Sequence, residues 1–170
     1  MPAPFRLEPL AEHDRTGFTC GEPALDRYFQ TQVTQDARRR LSNCFVAVEA
    51  ATGKLAGFYT LTAASIPLTD LPPDVTKRLP RYPSVPAARI GRLAIDERFQ
   101  KRGLGSALLA DAARRCIQSP PAVFAMVVDA KNDAAIAFYE HHGFVRFVSQ
   151  QRTLFVPLST AQKILFCAID

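Results

Sequence analysis

Apolar and polar positions alternate, or recur at helical spacing, in blocks that are separated by turn residues along nearly the whole chain. Phe5–Pro9 reads as a short strand, and Gly17–Glu22 as a turn leading to Pro23, a residue suited to the first helical position. Leu25, Tyr28, Phe29, Gln32 and Val33 then share one face, which predicts a helix running to about Arg38. Phe45–Val48 and Leu55–Thr62 are rich in β-branched and aromatic residues around a Gly53-bearing turn, the pattern of a hairpin. Six prolines lie between Pro67 and Pro86, too many for a central strand or a long helix, and leave room only for a brief helix at about Pro73–Arg78, capped by Asp70 or a neighbour.

The second half is more regular. Ala88–Ile95 predicts a central strand. Leu104, Leu108, Ala112 and Cys116 then repeat every fourth residue beside Leu109, Ala113 and Ile117, a wide apolar stripe on a helix that ends near Gln118, before Pro120-Pro121. Val123–Asp129 is a continuous apolar run, as a parallel strand covered on both faces requires. Asp133–His142 predicts a helix ended by Gly143 in a left-handed cap, and Val145–Ser149 with Thr153–Pro157 a closing pair of strands. Ile164-Leu165-Phe166 in the tail is expected to cover the core or an oligomer contact. The fold class expected is mixed α/β, in one domain over residues 1–170 with an insertion at 67–87 and a tail at 159–170.

With 170 residues, 48% of them hydrophobic, the chain has the size of one ordinary domain. Four cysteines without a Cys-x-x-Cys pair, and three histidines of which two are adjacent, argue against a disulfide framework and against a metal site. No apolar run approaches membrane-spanning length and no signal core opens the chain, so a soluble, cytoplasmic protein is expected. The net charge of +5 gathers in clusters: Arg38, Arg39 and Arg40; Lys77, Arg78 and Arg81; Arg89 and Arg92. Such clusters suit a polyphosphate partner, although a charge run is also what any solvated face carries.

Candidate chemistry concentrates after the central strand. Gln100-Lys101-Arg102-Gly103-Leu104-Gly105-Ser106 is a basic, glycine-bearing turn that opens a helix. Backbone N–H groups and the positive end of the helix dipole converge at such a place and favour a phosphate, and glycine lets it approach the backbone. The turn lacks the Gly-Lys-Ser/Thr ending of a Walker loop, and Leu108 stands where a full dinucleotide fingerprint requires glycine. A second motif follows about thirty residues on: Asn132, Ala135, Phe138, Tyr139, Gly143 and Phe144.

Together, in this order, the two motifs resemble those of the GNAT superfamily of acetyl-CoA-dependent N-acetyltransferases, and the resemblance covers roughly the whole chain. It implies a mixed, mostly antiparallel sheet of six to seven strands with splayed central parallel strands, flanked by about four helices. It implies acetyl-CoA as co-substrate and no metal. Gln100 to Ser106 would then cradle the pyrophosphate, the backbone of Leu93, Ala94 and Ile95 would pair with the pantetheine arm, and Asn132 and Phe138 would complete the cofactor site. For Asn132 an ordinary helix cap is an equal reading. Tyr139 occupies the family's position for the general acid that protonates the leaving thiolate. Its phenol, with an ordinary pKa of about 10, holds its proton at neutral pH. The alternative is a buried tyrosine whose hydroxyl meets a backbone partner.

No carboxylate lies within Ala88–Ile95, where a base for the acceptor amine might project. An α-amino group, with a pKa of about 7.7–8.0 against about 10.4 for lysine, needs least help from such a base. Within the superfamily, Phe18–Phe29, Gly57–Leu61, the proline-rich insertion and Gly91–Ile95 are similar to the toxin branch of type II toxin–antitoxin systems. Proteins of that branch acetylate aminoacyl-tRNA, block translation, commonly form homodimers and are neutralised by a ribbon-helix-helix antitoxin. The resemblance makes Arg38, Arg39, Arg40, Arg78, Arg81, Arg89 and Arg92 candidate tRNA contacts, and it would set the insertion over the active-site face, with a flexible loop as the alternative. Two other readings stay open: an acetyltransferase for a protein N-terminus or small amine, and a non-catalytic module that binds coenzyme A or nucleic acid.

Overall fold

The computed structural model describes residues 4–161. Seven strands form one sheet in the order β1-β2-β3-β4-β5-β7-β6. They are β1 (Phe5–Pro9), β2 (Asn43–Glu49), β3 (Leu55–Pro67), β4 (Ser84–Ile95), β5 (Ala125–Asp129), β6 (Val145–Arg146) and β7 (Thr153–Pro157). The helices are α1 (Pro23–Thr31), α2 (Val33–Arg38), α3 (Pro73–Thr76), α4 (Leu104–Gln118) and α5 (Asp133–His141), and a further helical segment opens at 158–161. The expected count of about four falls short for two reasons: the first helix is divided, and the chain turns helical where only a tail was foreseen. Ile164–Phe166 lie outside the described residues.

The chain forms two compact units, Met1–Thr62 with Gly91–Asp111, and Ala63–Ile90 with Ala112–Asp170. In the first, β1 pairs with β2 from Phe5↔Glu49 to Pro9↔Phe45, and β2 with β3 through the predicted hairpin, with a register shift at Ala47/Val48. Its core is aromatic: Phe29 stacks on Phe58 at 4.2 Å, and Phe18 leans on both. The predicted helix over 23–38 breaks at Gln32, whose φ of −116° departs from helical geometry. Thr31 donates its hydroxyl to the Arg27 carbonyl at 2.7 Å, a back-bond of the kind that bends helices. Val33 and Phe29 are still fully buried, but Gln32 faces solvent rather than sharing their face.

α4 buries Leu104, Leu108, Leu109, Ala112, Ala113 and Cys116, and Ile117, at the margin of the stripe, is 39% exposed. Its buried Asp111 accepts a 2.5 Å hydrogen bond from the hydroxyl of Tyr59 on β3, which ties helix to strand.

In the second unit β4 and β5 run parallel, paired from Ala87↔Ala125 to Ile90↔Val128; β5 and β7 are antiparallel. The parallel ladder ends there, with residues 91–95 of β4 beyond it. Ile66, Leu71, Val85, Val127, Phe147 and Phe155 make the core, so the proline-rich stretch is ordered and supplies core residues. Asp70 does not cap α3, which starts from Pro72 without a side-chain cap. Asp70 instead accepts from the Ser149 hydroxyl at 2.6 Å, and its carbonyl accepts from the Val148 N–H at 3.0 Å. That tie also accounts for β6 stopping at Arg146, because Val148 and Ser149, expected in the strand, are bound to the insertion instead.

Candidate active site

The glycine-bearing turn of the first unit, the predicted phosphate cradle, is held by a frame that the motif itself does not contain. Asp96, 0% exposed, ends the strand and accepts from the N–H groups of Arg98 (2.9 Å) and Thr19 (3.1 Å), and twice from the Arg98 guanidinium. Burial alone would raise its pKa, but the hydrogen bonds from Arg98 and Thr19 outweigh burial and hold the carboxyl below the usual range. It is therefore a structural anion and not a base for an incoming amine. Gln100 donates its side-chain amide to the carbonyls of Ile95 (3.0 Å) and Cys20 (3.2 Å), so this predicted cradle residue shapes the turn with its side chain.

Beyond Gln100 the chain enters the left-handed region twice, at Lys101 (φ 64°) and Gly103 (φ 74°). For lysine that conformation costs about 1–2 kcal/mol and is typical of functional turns. A Cβ placed on Gly103 would meet nothing within 4 Å, so the backbone there opens onto free space large enough for a ligand to come close. The Ala107 N–H donates to the Gly103 carbonyl at 3.2 Å and closes the first turn of α4. The N–H groups of Leu104 and Gly105 precede it, at the helix end where the dipole favours an anion. Lys101 and Arg102 are exposed beside them, Arg102 lying over the Phe99 ring at 5.4 Å and 3.9 Å from Glu49. This donor set fits a diphosphate: cations, helix-end amides and an unobstructed glycine.

Leu93, Ala94 and Ile95 occupy the part of β4 beyond the parallel ladder. At Gly91, just before them, a Cβ would lie 3.0 Å from the Thr60 hydroxyl, a tight contact, and that hydroxyl accepts from the Arg92 N–H at 3.0 Å. The Arg92 guanidinium lies 3.6 Å from the centroid of the Tyr28 ring, and Tyr28 donates to Asp36 at 2.7 Å.

In the second unit Asn132 caps α5, its Oδ1 accepting from the Ala135 N–H at 2.8 Å, so the cap reading is realised. Gly143, at φ 91°, ends the helix as foreseen, and the Phe144 N–H returns to the Tyr139 carbonyl at 3.1 Å. Tyr139 is 9% exposed, its ring against Phe138 (5.2 Å) and Phe144 (5.3 Å). Its hydroxyl has no protein hydrogen-bond partner among the described residues, contrary to the structural alternative for a buried tyrosine. Burial pushes its pKa up to about 12, so the phenol keeps its proton throughout the neutral range. Cys20, Cys44 and Cys116 are free thiols, and burial raises them to about 11, about 12 and about 11, so none is a ready nucleophile at neutral pH. No metal-binding group of His, Cys, Asp and Glu occurs among the described residues.

The predicted basic residues are divided between the two units. Arg38, Arg39, Arg40 and Arg92 belong to the first unit; Arg78, Arg81 and Arg89 belong to the second. Arg89 is committed to Asp129. Arg78 and Arg81 are exposed. No helix among the described residues is long and apolar enough to cross a membrane.

Comparison with known proteins agrees with this geometry. The chain is 39% identical over 133 residues to the tRNA-acetylating toxin of Mycobacterium tuberculosis, covering 77% of this chain and 78% of that protein. It superposes on AtaT complexed with acetyl-methionyl-tRNAfMet with a TM-score of 0.87 at 27% identity, over 95% of this chain and 99% of the other. On AtaTR bound with AcCoA the TM-score is 0.76 at 26% identity, over 96% and 97% of the two chains. The profile of the acetyltransferase (GNAT) family matches residues 7–144, and the chain belongs to that family of acetyl-CoA-dependent acetyltransferases.

Proposed function

We propose that the protein transfers an acetyl group from acetyl-CoA to the α-amino group of aminoacyl-tRNA and acts as a translation-blocking toxin. The similarity to a tRNA-acetylating toxin, at 39% identity over 133 residues, carries the choice of acceptor. The state of Asp96 is consistent with it: that carboxylate is sealed into its hydrogen-bond frame, and an α-amine with a pKa of about 7.7–8.0 is already partly neutral near pH 7.

When bound, acetyl-CoA supplies an activated acyl thioester. Lys101, Arg102, Gly103 and the first-turn amides of α4 hold its diphosphate; Leu93–Ile95 offer strand backbone to the pantetheine amides; Phe138 and the remaining donors of Asn132 complete the cofactor contacts. Tyr139 holds a proton at Oη for the departing sulfur. With no low-pKa thiol among the described residues, the acyl group goes directly to the amine, and proximity supplies much of the rate. Arg38–Arg40, Arg78, Arg81, Arg89 and Arg92 are read as tRNA contacts. A homodimer, a cytoplasmic location and neutralisation by a ribbon-helix-helix antitoxin belong to the same reading. The solved AtaTR structure bound with AcCoA supports acetyl-CoA as the co-substrate.

The test is incubation with labelled acetyl-CoA and, separately, charged tRNA, deacylated tRNA, a peptide N-terminus and a polyamine. Label in charged tRNA alone is expected. Label in the peptide or polyamine instead would replace this reading by a protein or small-amine acetyltransferase, and no turnover with any acceptor would favour a non-catalytic binding module.

A further inference from the structure

We propose that Tyr82 is a stacking platform for an unpaired base at the 3′ end of the acceptor tRNA, with Arg81, Lys77 and Arg78 drawing in the adjoining phosphates. This rests on charged tRNA being the acceptor and adds a defined contact to it. Tyr82 is 63% exposed, more than any other large hydrophobic side chain among the described residues. Its neighbours in the insertion behave in the opposite way: Leu71 and Val85 are buried, and Leu68, Val75 and Leu79 pack on the same core. One aromatic ring is thus left outside a loop whose other apolar side chains are folded in.

The backbone that carries the ring is tied. The Tyr82 N–H donates to the Pro80 carbonyl at 2.8 Å, the Leu68 N–H donates to the Pro83 carbonyl at 3.1 Å, and the two prolines fix φ on either side. Little backbone entropy remains to be lost when a ligand settles there. A groove of about 530 Å³ runs beside the ring, lined by Leu68, Thr76, Leu79 and the 80–83 turn.

The charge around it selects the occupant. Lys77, Arg78 and Arg81 are exposed, and none has a carboxylate partner among the described residues. Of the two acids nearby, Asp70 is engaged by Ser149, and Asp74 sits in the first turn of α3. An exposed aromatic on a tied turn, among cations without a carboxylate partner, is an arrangement by which proteins bind single-stranded nucleic acid, the ring stacking on a base while cations neutralise the backbone. An acidic peptide would satisfy the cations and leave the ring without a counterpart.

The experiment uses charged tRNA in which one unpaired 3′-end base is 2-aminopurine, whose fluorescence falls on stacking. Wild type and Tyr82→Phe should quench it; Tyr82→Ala should not, and its KM for charged tRNA should rise about tenfold or more while KM for acetyl-CoA stays put. If wild type binds and acetylates the tRNA without quenching, or if Tyr82→Ala quenches and turns over like wild type, the proposal is overturned and the acceptor assignment survives. If Tyr82→Ala instead splits a dimer in sedimentation, the ring belongs to a second copy and the proposal is again overturned. Failure of the wild type to bind or acetylate charged tRNA would remove the acceptor assignment itself.

Discussion

Tyr139→Phe removes one oxygen and little else. The ring keeps its contacts with Phe138 and Phe144, and the hydroxyl gives up no protein hydrogen bond among the described residues, so stability should change by less than about 1 kcal/mol. Any loss of activity is then chemical. A positioned general acid contributes about 10²–10⁴-fold, equivalent to about 2.7–5.5 kcal/mol of barrier. The pH dependence carries the same signature. Because burial raises the phenol to about 12, the folded state binds its proton more tightly than the unfolded chain, whose tyrosine titrates near 10. The stability so gained is present below about pH 10 and disappears as pH rises through about 12, and ionisation of Tyr139 should cause no loss of rate below about pH 10. Release of the CoA thiol, followed continuously with a thiol reagent at saturating substrates, gives kcat, and thermal melting confirms the fold. A folded variant with kcat within tenfold of wild type would refute the acid assignment.

Gly103→Val should raise KM for acetyl-CoA more than tenfold while lowering stability by about 1–2 kcal/mol, because φ of 74° strains a β-branched residue and the added methyls enter the open space at the turn; titration calorimetry with CoA checks it. Asp96→Ala should cost about 1–3 kcal/mol by leaving the Thr19 and Arg98 N–H groups without an acceptor, measurable by urea unfolding. The wild-type contribution of Asp96 is present above the ordinary aspartate pKa of about 3.9 and is lost as pH falls through its lower folded value, so the difference between the two proteins should close in strong acid. Arg78→Gln with Arg81→Gln should weaken binding of charged tRNA and flatten its salt dependence by about 0.7–0.9 in log–log slope for each phosphate that is no longer neutralised, as filter binding at several salt concentrations would show.

Where a signal was local, it was legible. The hairpin, α4 and α5 follow from apolar period and turn residues, and the left-handed Gly143 from its place after the last helical turn. The two short motifs marked the glycine-bearing turn and the helix that carries Tyr139 because each is a run of neighbours. What stayed hidden depends on residues far apart in the chain. Asp96 meets Thr19 across 77 positions, Gln100 meets Cys20 across 80, and Tyr59 meets Asp111 across 52, and no periodicity encodes such partners. Only the place of Asp96, in the cap position before Glu97-Arg98, carries a local signal of the frame. The break at Gln32 arises from one hydroxyl back-bond, and the shortening of β6 from Asp70 in another segment, neither visible in an apolar stripe.

The most direct measurement is mass spectrometry of the aminoacyl-adenosine released by ribonuclease from charged tRNA after incubation with the protein and acetyl-CoA. The account predicts a product one acetyl group heavier, the group on the α-nitrogen, and none from Tyr139→Phe over the same interval. An unmodified aminoacyl-adenosine, in the presence of protein shown to bind acetyl-CoA, would contradict it.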